Sequence, residues 1–194
     1  FENAIKVHAA IGGSANAVLH LPAIAREAGI QLTLEDFSRV SEGIPLLTSV
    51  LTAGRWPTQL FWYAGGIPRV LWELREVLCL NLPTVTGGTI RENLETLRKT
   101  GYFRRSEEFL RAWSLRPEDI IRHPDHPEDD RGGLTILRGN LAPEGAVVKH
   151  CAMDREMYRF VGRARTFDTE EAAVEAIYKD RIKPGEVVVI RYCG

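Results

Sequence analysis

The sequence holds little that would tie it to a membrane, a nucleic acid or an oxidising compartment. Its 25 Lys and Arg are balanced by 26 Asp and Glu, for a formal net charge of −1. That balance gives no general attraction to nucleic acid or to an anionic lipid surface. No apolar run approaches the roughly 20 residues needed to span a bilayer. The start shows no basic region followed by a long apolar stretch, as a secretory signal would. Only three cysteines occur, Cys79, Cys151 and Cys193. Their wide spacing excludes a disulfide framework and a close Cys-x-x-Cys pair, so a reducing, cytoplasmic setting is expected. Also missing are a Gly-x-Gly-x-x-Gly loop after a strand, a Walker loop, a His-Glu-x-x-His helix and a defensible Ser-His-Asp order. Nucleotide binding and the familiar hydrolase centres lose their usual signatures.

What is present is ordinary globular material: 44% hydrophobic and 26% charged residues over 194 positions. This is enough for one domain or two small ones. The first two-thirds read as helical. Apolar residues at Ala4, Ile5, Val7 and Ile11 follow helical spacing. Gly12 and Gly13 interrupt, and Ser14 is the expected N-cap of a second helix to Ala28, with Pro22 awkwardly inside it. Thr33 opens a third helix, with Asp36 at the reciprocal position of a capping box. Pro68 fits the first turn of a helix continuing to about Leu78. Ile90 begins another amphipathic helix, and Ser106 is the expected cap of one more. Residues 116–133 are rich in Pro, Asp, Glu, Gly and His and mark a boundary. Beyond it the pattern turns to strands at Leu134–Leu137, Gly145–Lys149 and Phe160–Phe167. A helix follows from Thr169 to Lys179, then a densely apolar strand, Glu186–Tyr192, whose composition predicts burial. The sequence therefore divides near residue 132. Phe1–Ile5 reads as helix interior without an initiator Met, and the last strand stops on Gly194. Neither end reads as a natural terminus, and a piece of a longer chain is expected.

Several clusters carry possible chemistry, each with a plain structural alternative. Gly12, Gly13, Ser14 and Asn16 lie where two helices meet. Two glycines allow close backbone approach to a ligand, and a following helix N-terminus offers amides to a carboxylate. The alternative is a tight interhelical turn. Thr84–Thr89 repeats the arrangement before the Ile90 helix, with a capped helix as alternative. Leu137–Lys149 is a strand–turn–strand around Pro143, Glu144 and Gly145. It contains Asn140 and Lys149, and Lys149 at the strand end can hold a carboxylate as a point charge. The alternative is a solvated hairpin with a surface lysine. His123–Asp130 offers two imidazoles and four carboxylates, but two prolines and high charge suit a solvated linker better. Cys79 ends an apolar helix, where a free cysteine acts as a small hydrophobe.

Read in order, Phe1–Ile5, Gly12–Ala25, Leu34–Phe37, Gly65–Pro68, Thr84–Gly87, Glu92–Leu94, Leu137–Lys149, Phe167–Asp168 and Ile182–Tyr192 resemble the family of dihydroxy-acid, phosphogluconate and sugar-acid dehydratases. The opening and the Gly65 region are most similar to the sugar-acid, xylonate-type branch. Single motifs are weak; the ordered series covers essentially the whole chain.

The resemblance implies an α/β class. Residues 1–131 would be the mostly helical C-terminal part of an N-terminal α/β domain. Residues 132–194 would begin a β-barrel-like swivel domain. It implies a hydro-lyase that dehydrates a sugar acid or 2,3-dihydroxy acid to a 2-keto acid, with a non-catalytic segment of binding or assembly role as the alternative. It implies an iron–sulfur cluster and Mg²⁺ whose ligands fall outside this stretch. In such enzymes the cluster iron polarises the leaving hydroxyl, Mg²⁺ holds the carboxylate and a serine removes the neighbouring proton. No catalytic or metal-binding residue is therefore assigned here. Gly12, Gly13, Ser14, Asn16, Asn140 and Lys149 carry over as supporting, substrate-facing positions. Ala15 departs from the family's usual Thr. The expected partner is a small hydroxy acid, with no nucleic acid or membrane, and a homo-oligomer, dimer or tetramer, at full length.

Overall fold

The structure, a computed structural model, describes residues 1–193; Gly194, on which the last predicted strand stops, lies outside them. The chain mixes helix and strand, as an α/β class requires, and forms two compact units that divide between Met153 and Asp154.

The first unit begins with α1 (Glu2–Ala10), α2 (Ala17–Glu27) and α3 (Leu34–Ser41). How α1 stops is written in its glycines. Gly12 takes the left-handed conformation at φ +57°. This turns the chain so that Gly13 N–H donates to His8 O at 3.0 Å and Gly12 N–H to Ala9 O at 3.2 Å. That double bond closes the helix and satisfies carbonyls its last turn would leave free. Thr33 and Asp36 form the predicted reciprocal cap of α3. Short helices follow: α4 (Thr58–Tyr63), α5 (Gly66–Glu73), α6 (Ile90–Lys99), α7 (Tyr102–Arg111) and α8 (Pro117–Ile120). The first core gathers Leu47, Val70, Leu74, Leu110, Ile120 and Ile121, all essentially inaccessible. At about 25 cal/mol per Å² of apolar surface removed from water, such side chains supply most of the driving force.

The antiparallel hairpin of β1 (Thr135–Gly139) and β2 (Ala142–Val148) pairs Thr135 with Val148 and Gly139 with Ala142. Alternation along its strands turns Ile136 and Val147 onto a second core of Ile5, Val18, Phe37 and Val40. The hairpin thus packs on α1 and α3. Gly132 and Gly133 make the approach possible. Gly133 N–H donates to Ala9 O at 2.9 Å, and a Cβ on Gly133 would fall 2.4 Å from the Gly12 Cα.

The second unit is a βαβ element. β3 (Arg163–Phe167) and β4 (Glu186–Ile190) run parallel, joined through α9 (Glu170–Tyr178). Thr169 caps α9 by accepting from Ala172 N–H at 3.1 Å, and Ala173 and Ala176 are buried.

Four local expectations change. Ser14 does not cap α2: its N-cap is Asn16 and the helix starts at Ala17, because Ser14 O and Ala15 O already receive the Ala17 and Val18 amides. The Pro68 helix ends at Glu73, and Arg75 Nη1 covers the Trp72 carbonyl at 2.7 Å. Ser106 is no cap; it sits inside α7, buried, with its hydroxyl donating to Tyr102 O at 3.3 Å. The apolar strand β4 keeps Val187, Val188 and Ile190 exposed, since one helix covers only one face of a two-stranded parallel sheet.

Candidate functional site

The Gly12–Gly13 turn is a three-way junction. His8 stands in the last turn of α1, and its ring lies directly over Gly13. A Cβ on Gly13 would fall 2.2 Å from the His8 Cδ2. Only glycine leaves room for the imidazole there. His8 Nε2 lies 2.8 Å from Ser14 O. A carbonyl only accepts, so Nε2 carries the hydrogen and Nδ1 keeps the lone pair in the neutral ring. Burial pushes the His8 imidazole below its ordinary 6.5; the Ser14 carbonyl opposes this and the Lys149 charge adds to it.

Lys149 directly follows β2, whose last residue Val148 pairs with Thr135 at the base of the hairpin. Its charge is felt by His8 and by Cys151. The Cys151 sulfur is wedged between the two glycine pairs, 3.0 Å from where a Gly12 Cβ would lie and 2.9 Å from a Gly133 Cβ. Burial pushes its thiol above the ordinary value, and Lys149 works against that. Cys151 thus fills the space that the glycines leave open. Next to it, His150 is buried, its Nδ1 2.9 Å from Thr135 Oγ1, and burial and Arg131 hold its imidazole low.

Of the six residues expected to face a substrate, the structure brings Gly12, Gly13, Ser14 and Lys149 to this junction. Asn16 is exposed beyond it, its amide bonded to Ser14 Oγ at 3.3 Å. Asn140 sits at the hairpin tip, between Gly139 and Ala142, about 15 Å from the base at the usual rise per strand residue. None of the six lines the adjoining cleft of about 680 Å³ between α1, α3 and β1. Its floor includes Ile5, Phe37 and Ile136, and its polar wall includes His8, Thr135 and His150. His8 therefore belongs to both junction and cleft. Sequence reasoning missed it, along with Cys151 and Gly133. The signal for His8 was its place five residues before Gly13, the spacing that the helix-ending turn folds together.

Two further clusters resolve into plain structure. At Thr84–Thr89 the helix N-terminus is taken by its own chain: Glu92 Oε2 accepts from Thr89 N at 2.7 Å. Along His123–Asp130 the donors are held by protein neighbours. His123 Nδ1 is 3.3 Å from Asp125, and Glu128 pairs with Arg122 at 2.8 Å. Among the described residues no group of three or more His, Cys, Asp or Glu side chains is placed to hold a metal ion. Nor does any helix have the length and apolarity to cross a membrane.

Family comparison covers nearly all of the chain. The model for the dihydroxy-acid/6-phosphogluconate dehydratase N-terminal domain matches residues 1–93, and that for the C-terminal domain matches residues 119–194. The dihydroxy-acid dehydratase of Acetivibrio thermocellus is 45% identical over the whole chain, which spans 32% of that protein. Those of Ignicoccus hospitalis and Methanococcoides burtonii are 45% and 42% identical, again over the whole chain and 32% and 33% of their own lengths. The chain thus spans about a third of the curated relatives it matches. These relatives carry the dihydroxy-acid name, not the sugar-acid name towards which the opening and the Gly65 region lean. Two domain models of one family, in the right order, leave a single assignment: the chain belongs to the dihydroxy-acid/6-phosphogluconate dehydratase family.

Proposed function

We propose that these residues are part of a hydro-lyase that converts a 2,3-dihydroxy acid to a 2-keto acid. The proton on the carbon beside the carboxylate and the hydroxyl on the next carbon leave together as water. The resulting enol takes a proton at that second carbon and becomes the ketone. The observation that carries this reading is the 45% identity, over every part of the chain, to proteins named for that reaction.

The iron–sulfur cluster and Mg²⁺ expected from the family resemblance do not fit the described residues, which offer no converging donor set. No step is assigned to either group within this segment. Its own residues hold and orient. Lys149 faces the substrate carboxylate as a fixed cation. Gly12 and Gly13 allow close approach, and His8, neutral and tied to Ser14 O, keeps the junction from adding a second charge. The change from helix to strand near residue 132 is the basis for a division into 1–131 and 132–194, the latter opening a β-barrel-like domain; the two family-model matches part earlier, between residues 93 and 119. A small hydroxy acid as partner, a cytoplasmic setting and a homo-oligomeric full-length enzyme complete the reading.

The test is keto-acid formation by the anaerobically prepared, iron- and magnesium-replete full-length protein, given branched 2,3-dihydroxy acids and aldonic acids in parallel. Turnover of the first group with weak or no turnover of the second is expected. Turnover of aldonic acids alone would move the substrate to the sugar-acid class. No turnover of either would favour a segment with only a binding or assembly role.

A further inference from the structure

His8 holds both peptide units that flank Gly13. Its backbone carbonyl accepts from Gly13 N–H at 3.0 Å. Its ring Nε2 donates to Ser14 O at 2.8 Å. The ring also fills the space that a side chain at position 13 would need: a Cβ there would fall 2.4 Å from Nε2 itself. The two bonds differ in kind. The first closes α1, and the backbone of any residue at position 8 can make it. The second needs a side-chain donor of the right reach.

That second bond is not required to satisfy the Ser14 carbonyl, which already accepts from Ala17 N–H at 3.1 Å. Ser14, Ala15 and Asn16 are exposed, so water serves any polar group left over. What the imidazole supplies is direction. A carbonyl held from two sides fixes the plane of the Ser14–Ala15 peptide, since that plane turns as one unit. Gly12 and Gly13 bring the widest backbone freedom of any residue type, and a turn built on them keeps one shape only if something outside it restrains it. The ring suits the task. Burial, with the Lys149 charge adding to it, holds the imidazole below its ordinary 6.5. It is therefore neutral at pH 7, and its single N–H hydrogen is committed to Ser14.

We propose that His8 is a positioning residue for the dehydration: through the Ser14 carbonyl it sets the Gly13–Ser14 backbone against which the substrate is bound. This role rests on the dehydratase reading, in which the Gly12–Gly13 junction faces the substrate. Its signature follows from population. A loosened turn samples several shapes, of which only a fraction accepts substrate, and the apparent affinity falls by that fraction. Once bound, the complex has the same shape and the same turnover. A turn competent about one-tenth of the time thus raises KM about tenfold and leaves kcat alone. A histidine that only supported the fold would do the reverse: its loss would lower the amount of active enzyme, read as kcat, with KM unmoved.

Steady-state keto-acid formation by the full-length, metal-replete protein tests this. His8→Leu removes the donor and keeps the bulk; KM should rise about tenfold with kcat within about twofold. His8→Gln returns a neutral donor within reach of Ser14 O and should recover most of that loss. Gly13→Ala reads the same restraint from the other side. Gly13 does not take the left-handed conformation, and, chain neighbours aside, the three atoms nearest an added Cβ all belong to the His8 ring. The methyl should therefore displace the ring and raise KM by itself, yet add little in a His8→Ala background. Melting curves confirm folding; if leucine unfolds the protein, the Gly13→Ala pair carries the test. An unmoved KM in His8→Leu, a fall in kcat alone, a His8→Gln variant no better than His8→Leu, or a Gly13→Ala effect undiminished without the ring would each overturn the proposal. A wild type that turns over no acid would sink the dehydratase reading itself, and the role of His8 with it. Wild-type turnover with KM unmoved by His8→Leu sinks that role alone.

Discussion

The Asn3 carboxamide brackets the backbone of Cys79. Nδ2 donates to Cys79 O at 3.0 Å, and Oδ1 accepts from Cys79 N–H at 2.9 Å. The side chain thus behaves as a one-residue strand partner for the segment after α5. Lys6, one turn on, adds a bond from Nζ to Val77 O at 2.7 Å. The first turn of α1 is therefore stitched to a segment more than seventy residues away.

Asn3→Ala should lower stability by about 1 kcal/mol, since both lost bonds are solvent-exposed and water can take the place of the side chain. Asn3→Asp keeps an acceptor for Cys79 N–H but has no donor for the Cys79 carbonyl, so it loses one of the two bonds where alanine loses both. Urea denaturation of the protein checks both; an alanine variant with an unchanged midpoint would remove the stitch from the account.

Gly133→Ala should be costlier than Gly29→Ala. The added methyl on Gly133 meets the Gly12 backbone and the Cys151 sulfur, whereas Gly29 has open space on that side and only its left-handed φ of +71° to contend with. Overpacking against backbone costs about 1–3 kcal/mol or more. Thermal melts of the two variants should rank them in that order.

Lys149→Met should raise the titration midpoints of both His8 and Cys151. Lys149 lowers each in the native protein, so removing its charge moves His8 back towards its ordinary value and Cys151 further above its own. The His8 shift is readable by NMR titration of the imidazole, and the Cys151 shift by the pH dependence of thiol alkylation. Unmoved midpoints would separate Lys149 from the junction.

Asp36 supplies a pH signature. Hydrogen bonds from the Thr33 backbone and from Arg39 hold its carboxyl at about 2, against an ordinary 3.8. A depressed native carboxyl stabilises the fold fully above the ordinary value and is lost as pH falls through the native one. The gap in melting temperature between wild type and Asp36→Asn should therefore be constant at neutral pH, shrink below pH 3.8 and close near pH 2. A gap that persists at the acid end would contradict the cap.

Sequence legibility followed the range of the interaction. The Thr33–Asp36 cap, α1, α6, α9 and the hairpin depend on neighbours within a few residues, and their patterns are plain. The end of α5 and the true start of α2 turn on single carbonyl contacts. Ser106 looked like a cap because serine suits one, but its side chain is buried and bonds back one turn. At the junction, glycine pairs and Lys149 were readable as unusual residues. That Gly133 packs on Gly12, and that Cys151 fills the space beside both, depends on approaches across more than a hundred residues. No local pattern carries that information.

The central claim is dehydration through an enol, and running the full-length, metal-replete enzyme in D₂O tests it most directly. Mass and NMR analysis of the product should show a 2-keto acid lighter than substrate by one water, with a single solvent deuterium on the carbon next to the carbonyl. A product that has lost two hydrogens instead of water, or a keto acid free of deuterium at that carbon, would contradict it.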